Sequence, residues 1–147
     1  MPPRTGPAES PAVVLVDTSV WIDVFRKPAR LRLADLVDVD EVVTVLPIVQ
    51  EVLQGFREER AFAVAREAML AFTILESPLD ADVFLEAAGL YRAARRAGLT
   101  VRSGVDCLIA ACALRHDATV LHQDRDFDAL ARVSPLKAQS VTLTARH

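Results

Sequence analysis

Residues Ser103 to Leu130 read SGVDCLIAACALRHDATVLHQDRDFDAL, and they decide the fold. The stretch divides into a helix, a tight turn, a strand and an acidic loop. Gly104 precedes a helix from Val105 to about His116 that is apolar on almost every side. Asp117 and Ala118 turn the chain, and Thr119 to His122 form a short apolar strand. Asp106 stands at the entry of the helix, while Asp124 and Asp126 stand just beyond the strand. Carboxylates at the ends of elements, and not on a solvated face, suggest a metal site.

Outward from this stretch the same alternation continues. Ala12 to Val16 (AVVLV) is an apolar, β-branched run that suits a strand buried on both faces, as in a parallel sheet. It ends at Asp17-Thr18-Ser19, after which Val20, Trp21, Val24 and Phe25 follow helical spacing, with Thr18 or Ser19 as N-cap. A helix is expected over Leu31 to Val37, then a strand over Glu41 to Leu46 closed by Pro47. Ile48 to Leu53 opens a further helix with Glu51 in its first turn, and a longer helix runs from about Arg57 to Phe72. Phe72 to Leu75 reads as a strand, and Ala81 to about Ala97 as a helix ended by Gly98. Phe127, Leu130 and Ala131 indicate a short helix, and Val141 to Leu143 a last edge strand. About five strands alternating with helices imply an α/β protein, with a parallel sheet flanked by helices on both faces.

Composition narrows the class. At 147 residues, 52% hydrophobic and 25% charged, the chain is a globular domain with a substantial core. Its longest unbroken apolar run, Cys107 to Leu114, is far short of the roughly 20 residues that span a bilayer. The first ten residues, MPPRTGPAES, lack an apolar segment and read as a flexible tail, not a signal peptide. Cys107 and Cys112 fall about 140° apart around one helix, so no disulfide is expected. A reduced, cytoplasmic setting follows. The net charge of −3 conceals two basic clusters, Arg26, Lys27, Arg30 and Arg32, and then Arg92, Arg95, Arg96 and Arg102. These are either solvated helix surface or a footprint for a polyanion.

Asp17 ends the first strand, Glu51 opens a helix after the second, and Asp106 precedes the fourth strand, which Asp124 and Asp126 follow. The carboxyl edge of a doubly wound sheet gathers such positions. Taken singly, Asp17 is equally a cap or turn residue, and Glu51 a helix-dipole acid. Taken together, crowded carboxylates raise one another's pKa and repel, so they need a compensating positive charge. A divalent cation is the natural partner, and an all-oxygen set favours Mg²⁺ or Mn²⁺ over zinc. His116, His122 and His147 lack ligand spacing. Ions of this kind activate water and stabilise the oxygens of a phosphodiester, so the pattern points to nuclease chemistry. Arg26 and Arg102, each close in sequence to a site aspartate, are the candidates for phosphate contact.

Three segments, LVDTSVWIDVFR (Leu15 to Arg26), PIVQEVLQGF (Pro47 to Phe56) and SGVDCLIAACALRHDATVLHQDRDFDALA (Ser103 to Ala131), resemble the PIN-domain ribonucleases. They are most similar to the VapC toxins of bacterial toxin–antitoxin pairs. The likeness runs from about Val13 to Leu143. It implies a flexible tail over residues 1–11 and a single PIN domain, a three-layer fold, over 12–147. It also implies that Asp17, Glu51, Asp106 and Asp124 form an acidic quartet for Mg²⁺ or Mn²⁺, with Asp126 beside Asp124 as a possible sharer of that role. Thr18 or Ser19 would place a water or phosphate. The resemblance further implies endonucleolytic cleavage of RNA (tRNA or rRNA), a homodimer, no membrane association, and a cognate VapB antitoxin. That antitoxin would lie against the apolar surface around Val20, Trp21, Val24 and Phe25, although Trp21 is equally a core residue. Two other readings stand beside this one. One is a Mg²⁺-dependent phosphohydrolase with Asp17 as nucleophile, and the other a non-catalytic RNA- or protein-binding module.

Overall fold

The computed structural model describes residues 12–141. The expected tail over 1–11 and two residues of the expected last strand, Thr142 and Leu143, lie outside these residues. The parallel sheet is made of β1 (Val14–Val16), β2 (Val42–Val45), β3 (Thr73–Leu75), β4 (Thr119–His122) and β5 (Lys137–Ser140), in the order β3-β2-β1-β4-β5. Six α-helices flank it among the described residues: α1 (Thr18–Phe25), α2 (Leu46–Leu53), α3 (Glu59–Leu70), α4 (Ala81–Arg96), α5 (Gly104–Arg115) and α6 (Arg125–Arg132). From β1 the chain steps outward through β2 to β3, then returns across the sheet to β4 on the other side of β1. Right-handed crossovers therefore put α1 to α3 on one face and α4 to α6 on the other. The order reverses between β1 and β4, and the crevice beyond their carboxyl ends is where such sheets bind ligands.

The sheet and α5 form the core. Leu15, Val16, Val45 and Val120 are wholly buried. Every residue of α5 from Asp106 to Ala113 is buried too, as an all-round apolar helix requires. Cys107 and Cys112 are both free and buried. Burial pushes their thiols up to about 11 and about 12, so both pack as small neutral hydrophobes. The far end of α5 is tied down by Arg115, which reaches Glu76 at 3.1 Å and Glu86 at 2.7 Å, and by His116, 2.7 Å from Glu76. Asp106 lies in the first turn at the opposite end.

Two expectations change. The helix foreseen over Leu31 to Val37 is instead a pair of 3₁₀ turns, Leu33–Asp35 and Val39–Glu41. Aspartates at 35, 38 and 40 favour local side-chain-to-backbone bonds, and Asp38 does accept the Asp40 amide at 3.0 Å. The last strand is Lys137–Ser140, earlier and more polar than expected, because it is an edge strand with three of its four residues exposed. Val141 still donates to the His122 carbonyl at 2.9 Å.

Helix α4 ends as its glycine suggested. Gly98 has φ +77°, its amide donates to Arg95, and the Leu99 amide donates to Ala94 at 2.9 Å, a Schellman closure. A Cβ at either Gly98 or Gly89 would meet nothing within 4 Å, so backbone conformation alone sets the cost of adding one. Gly98→Ala is expected to lower the unfolding free energy by about 1 kcal/mol in urea titrations. Gly89→Ala, inside the helix, is expected to raise it by roughly 0.5–1 kcal/mol.

Candidate metal centre

Asp17 follows β1 directly, and its amide extends the sheet by donating to Leu121 O at 2.9 Å. Its carboxylate turns back as the N-cap of α1. Oδ2 accepts from the Ser19 amide at 3.1 Å and from Ser19 Oγ at 2.6 Å. Ser19 Oγ accepts in turn from the Gln123 amide at 2.9 Å. The Gln123 side chain donates to Ser19 O and to Asp23 Oδ2, both at 2.9 Å. The exits of β1 and β4 are thereby stitched together at the switch point.

Thr18 Oγ1 donates to Glu51 Oε1 at 2.8 Å, which joins α2 to the same rim. Because α2 begins at Leu46 and not Ile48, Glu51 lies in its second turn, where the helix dipole gives it little. The hydroxyls expected to place water or phosphate are thus engaged with carboxylates: Thr18 with Glu51, and Ser19 with Asp17.

Asp106, Asp124 and Asp126 each offer an oxygen within 4.8 Å of the other two. Their remaining bonds distinguish them. Asp126, buried, accepts the Arg102 amide at 3.1 and 3.0 Å and the Ser103 amide at 3.0 Å, clamping the segment that leads into α5. Asp124 uses Oδ1 to cap α6 through the Asp126 amide at 2.9 Å. Its own amide donates to Nδ1 of the fully buried His122 at 3.1 Å. Asp106 Oδ2 is buried without any hydrogen-bond partner.

The electrostatics follow. Burial, then contact with Asp126, the charge of Asp17 and the proximity of Asp124 push the Asp106 carboxyl up to about 9. Burial also raises Asp17, while its bonds from Ser19 oppose the shift and the charge of Asp124 adds to it. Among the described residues no lysine or arginine side chain pairs with Asp17, Asp106, Asp124 or Asp126. A buried, unpartnered carboxylate oxygen beside two further acids, all donors being oxygen, fits a hard divalent cation.

The structure brings Asp106, Asp124 and Asp126 together, sets Asp17 within electrostatic reach of Asp106 and Asp124, and ties Glu51 to that edge through Thr18. It separates the two candidate phosphate-binding arginines. Arg26 is 3.4 Å from Asp23 and lines an apolar cavity of about 220 Å³ with Trp21, Ile22, Phe25, Val52 and Phe56. Arg102 is exposed and lines a groove with Asp126. Trp21 itself is only 2% exposed and packs on Phe25 and Phe72 at 5.7 and 5.4 Å, so it is core with one edge toward that cavity. Sequence reasoning missed Gln123, which has no motif of its own, and the backbone clamp made by Asp126.

Residues 14–133 match the PIN domain. The chain belongs to the PIN-domain family. Ribonuclease VapC11 of Mycobacterium tuberculosis is 38% identical over 133 residues, covering 87% of this chain and 98% of that protein. Among solved structures, VapBC-5 from Mycobacterium tuberculosis, a member of the VapBC family of toxin–antitoxin systems, superposes with a TM-score of 0.67 at 28% identity. That match covers 89% of this chain and 100% of the other. VapBC2 from Rickettsia felis, solved bound to a DNA fragment from its promoter, superposes at 0.70 with 14% identity, covering 88% and 99%, which speaks for the fold. The acidic edge of this PIN domain is thus the place to look for its chemistry.

The three clustered acids should separate in thermal melts. In chelator, Asp106→Asn is expected to melt at or above the parent, since it removes a buried carboxyl from a like-charged cluster. Asp126→Asn is expected to melt several degrees lower, since it weakens three amide contacts. Excess Mg²⁺ should stabilise the parent by about 2 kcal/mol at a few tens of times its dissociation constant, and Asp106→Asn by much less.

Proposed function

We propose that this PIN-domain protein is the toxin of a type II toxin–antitoxin pair, a Mg²⁺-dependent endoribonuclease acting on RNA. The observation that carries this reading is the buried, unpartnered Asp106 Oδ2 at the switch point, with Asp124 and Asp126 beside it. It sits in a chain 38% identical to a ribonuclease along nearly that enzyme's whole length. Asp17, Asp106 and Asp124 would hold the ion, Mg²⁺ with Mn²⁺ as substitute, and Glu51 completes the quartet. Asp126 is better suited to shaping the site than to ligation, because both its oxygens already accept amides. When bound, the ion makes water more acidic and steadies negative charge on the phosphate. The residues of the chain fix the geometry: Ser19 orients Asp17, Thr18 orients Glu51, and His122 and the α6 cap orient Asp124. Arg102 and Arg26 are the proposed phosphate contacts, Arg102 being the better placed since no ion pair holds it. Asp17 is a poor covalent nucleophile here, with Oδ2 engaged twice by Ser19.

A tRNA or rRNA substrate, a homodimer, a VapB-type antitoxin and a cytoplasmic location belong to the same reading. The cavity beside Trp21, with Ile22 56% exposed at its edge, supports an apolar antitoxin segment. The apolar face bearing Phe84, Tyr91 and Val105, all exposed, supports the homodimer. Among the described residues no helix is long and apolar enough to cross a membrane.

Asp106→Asn is expected to abolish Mg²⁺-dependent RNA cleavage, by about a thousandfold or more, with unchanged circular dichroism. Thr18→Val should lower kcat about ten- to a hundredfold, and Thr18→Ser should restore it, as expected of a residue that orients a ligand. Parental cleavage by Asp106→Asn would sink the assignment.

A further inference from the structure

A second groove opens beside the carboxylates. It has a volume of about 540 Å³ and lies between the 99–102 segment and helix α6. Arg102 stands on one wall, and Arg125, Asp128 and Arg132 on the other, with Asp126 between. Positions 125, 128 and 132 recur at the spacing that places them on one face of α6. All three arginines are exposed, and among the described residues none has an ion-pair partner. That contrasts with Arg26 and Arg115, each of which is paired. The walls are fixed to one another, because Asp126 on α6 accepts the backbone amides of Arg102 and Ser103 on the opposite side. Asp126 belongs both to the acidic cluster and to the lining of the groove, so the two adjoin through it.

We propose that this groove is the track for the RNA strand flanking the cleavage site, with Arg102, Arg125 and Arg132 contacting its phosphates. The proposal rests on the ribonuclease reading and adds Arg125 and Arg132 as substrate-positioning residues. Arg125 and Arg132 are two helical turns apart, about 10 Å, which matches a run of roughly three phosphates along one strand. Guanidinium groups carried on walls that are tied together suit phosphate oxygens, which they can grip in pairs. Asp128, with its side chain 58% exposed in the same groove, opposes a polyanion and lowers the affinity the arginines would otherwise give. An acidic segment of a protein partner is the competing occupant. Continuity with the carboxylate cluster favours RNA, since a strand held in that cluster must leave along a neighbouring surface.

The test measures binding of a fluorescent single-stranded oligoribonucleotide of mixed sequence to the full chain in the cleavage-silent Asp106→Asn background, over a salt series. Arg125→Ala and Arg132→Ala should each weaken binding roughly three- to tenfold and lower the salt slope by about 0.7. Arg125→Lys should retain the slope, and Asp128→Asn should tighten binding. Arg66→Ala, on α3 and remote from the groove, should change nothing. In the otherwise native chain, Arg125→Ala/Arg132→Ala should raise KM far more than it lowers kcat. If that double variant binds RNA with parental affinity and slope while the parent cleaves RNA, the track is overturned. Loss of antitoxin binding with RNA binding intact also overturns it and gives the groove to the protein partner. No RNA cleavage by the parent overturns the ribonuclease reading, and this proposal with it.

Discussion

Negative charge crowded into a dry crevice is the constraint on which the rest of the structure depends. Asp106 sits in the first turn of a helix with no solvated face to turn toward, and one of its oxygens finds no partner. Burial and its acidic neighbours push its carboxyl up to about 9. A bound cation would relieve that crowding. The remainder of the fold holds the cluster in place: α5 is anchored at its far end by Arg115 and His116 on Glu76, and at its near end by Asp126. Relaxing the cluster would mean dragging a helix that is buried from Asp106 to Ala113 away from the sheet.

The acids divide the work by how many of their oxygens the protein already uses. Asp126 gives both to backbone amides, Asp124 gives one to a helix cap, and Asp106 leaves Oδ2 free. Asp17 falls between, with Oδ2 shared by the amide and hydroxyl of Ser19. Availability to a ligand therefore rises from Asp126 to Asp106. Orientation comes from neutral groups alone: Thr18, Ser19, Gln123 and His122. Thr18 and Ser19 donate to Glu51 and Asp17, Gln123 donates to Ser19, and His122 accepts the Asp124 amide, so the carboxylates are held without the charge cancellation a paired arginine would bring.

How much of this was legible in the sequence depends on the range of the interaction. The buried strands, the apolar α5 and the Gly98 cap are local patterns, and they stand where periodicity and turn chemistry put them. The acids at element ends were equally legible, because a parallel sheet carries strand ends to one edge whatever the details. The segment after Pro28 misled, since apolar residues at 31, 33, 36 and 37 imitate a helix while Asp35 and the following Asp38 and Asp40 prefer short turns. The strand Lys137–Ser140 was not foreseen, because pairing with β4 and not hydrophobicity defines an edge strand. The links from Thr18 to Glu51 and from Gln123 to Ser19 span 33 and 104 residues, and nothing in either segment names its partner.

Asp126 shows why such links matter for function as well as stability. Beside Asp124 in sequence it reads as a spare ligand, yet its oxygens join α6 to the approach of α5. That clamp holds the approach to α5, which carries Asp106, against α6, which Asp124 caps. It also fixes the spacing of the arginine-lined walls that leave the site. An acid whose oxygens already serve backbone amides can therefore shape both the acidic cluster and the groove beside it. The order of the groups follows from this: hydrogen-bonding side chains and Asp126 shape the crevice, Asp106 lies within it, and arginines without ion-pair partners among the described residues line the groove beside it.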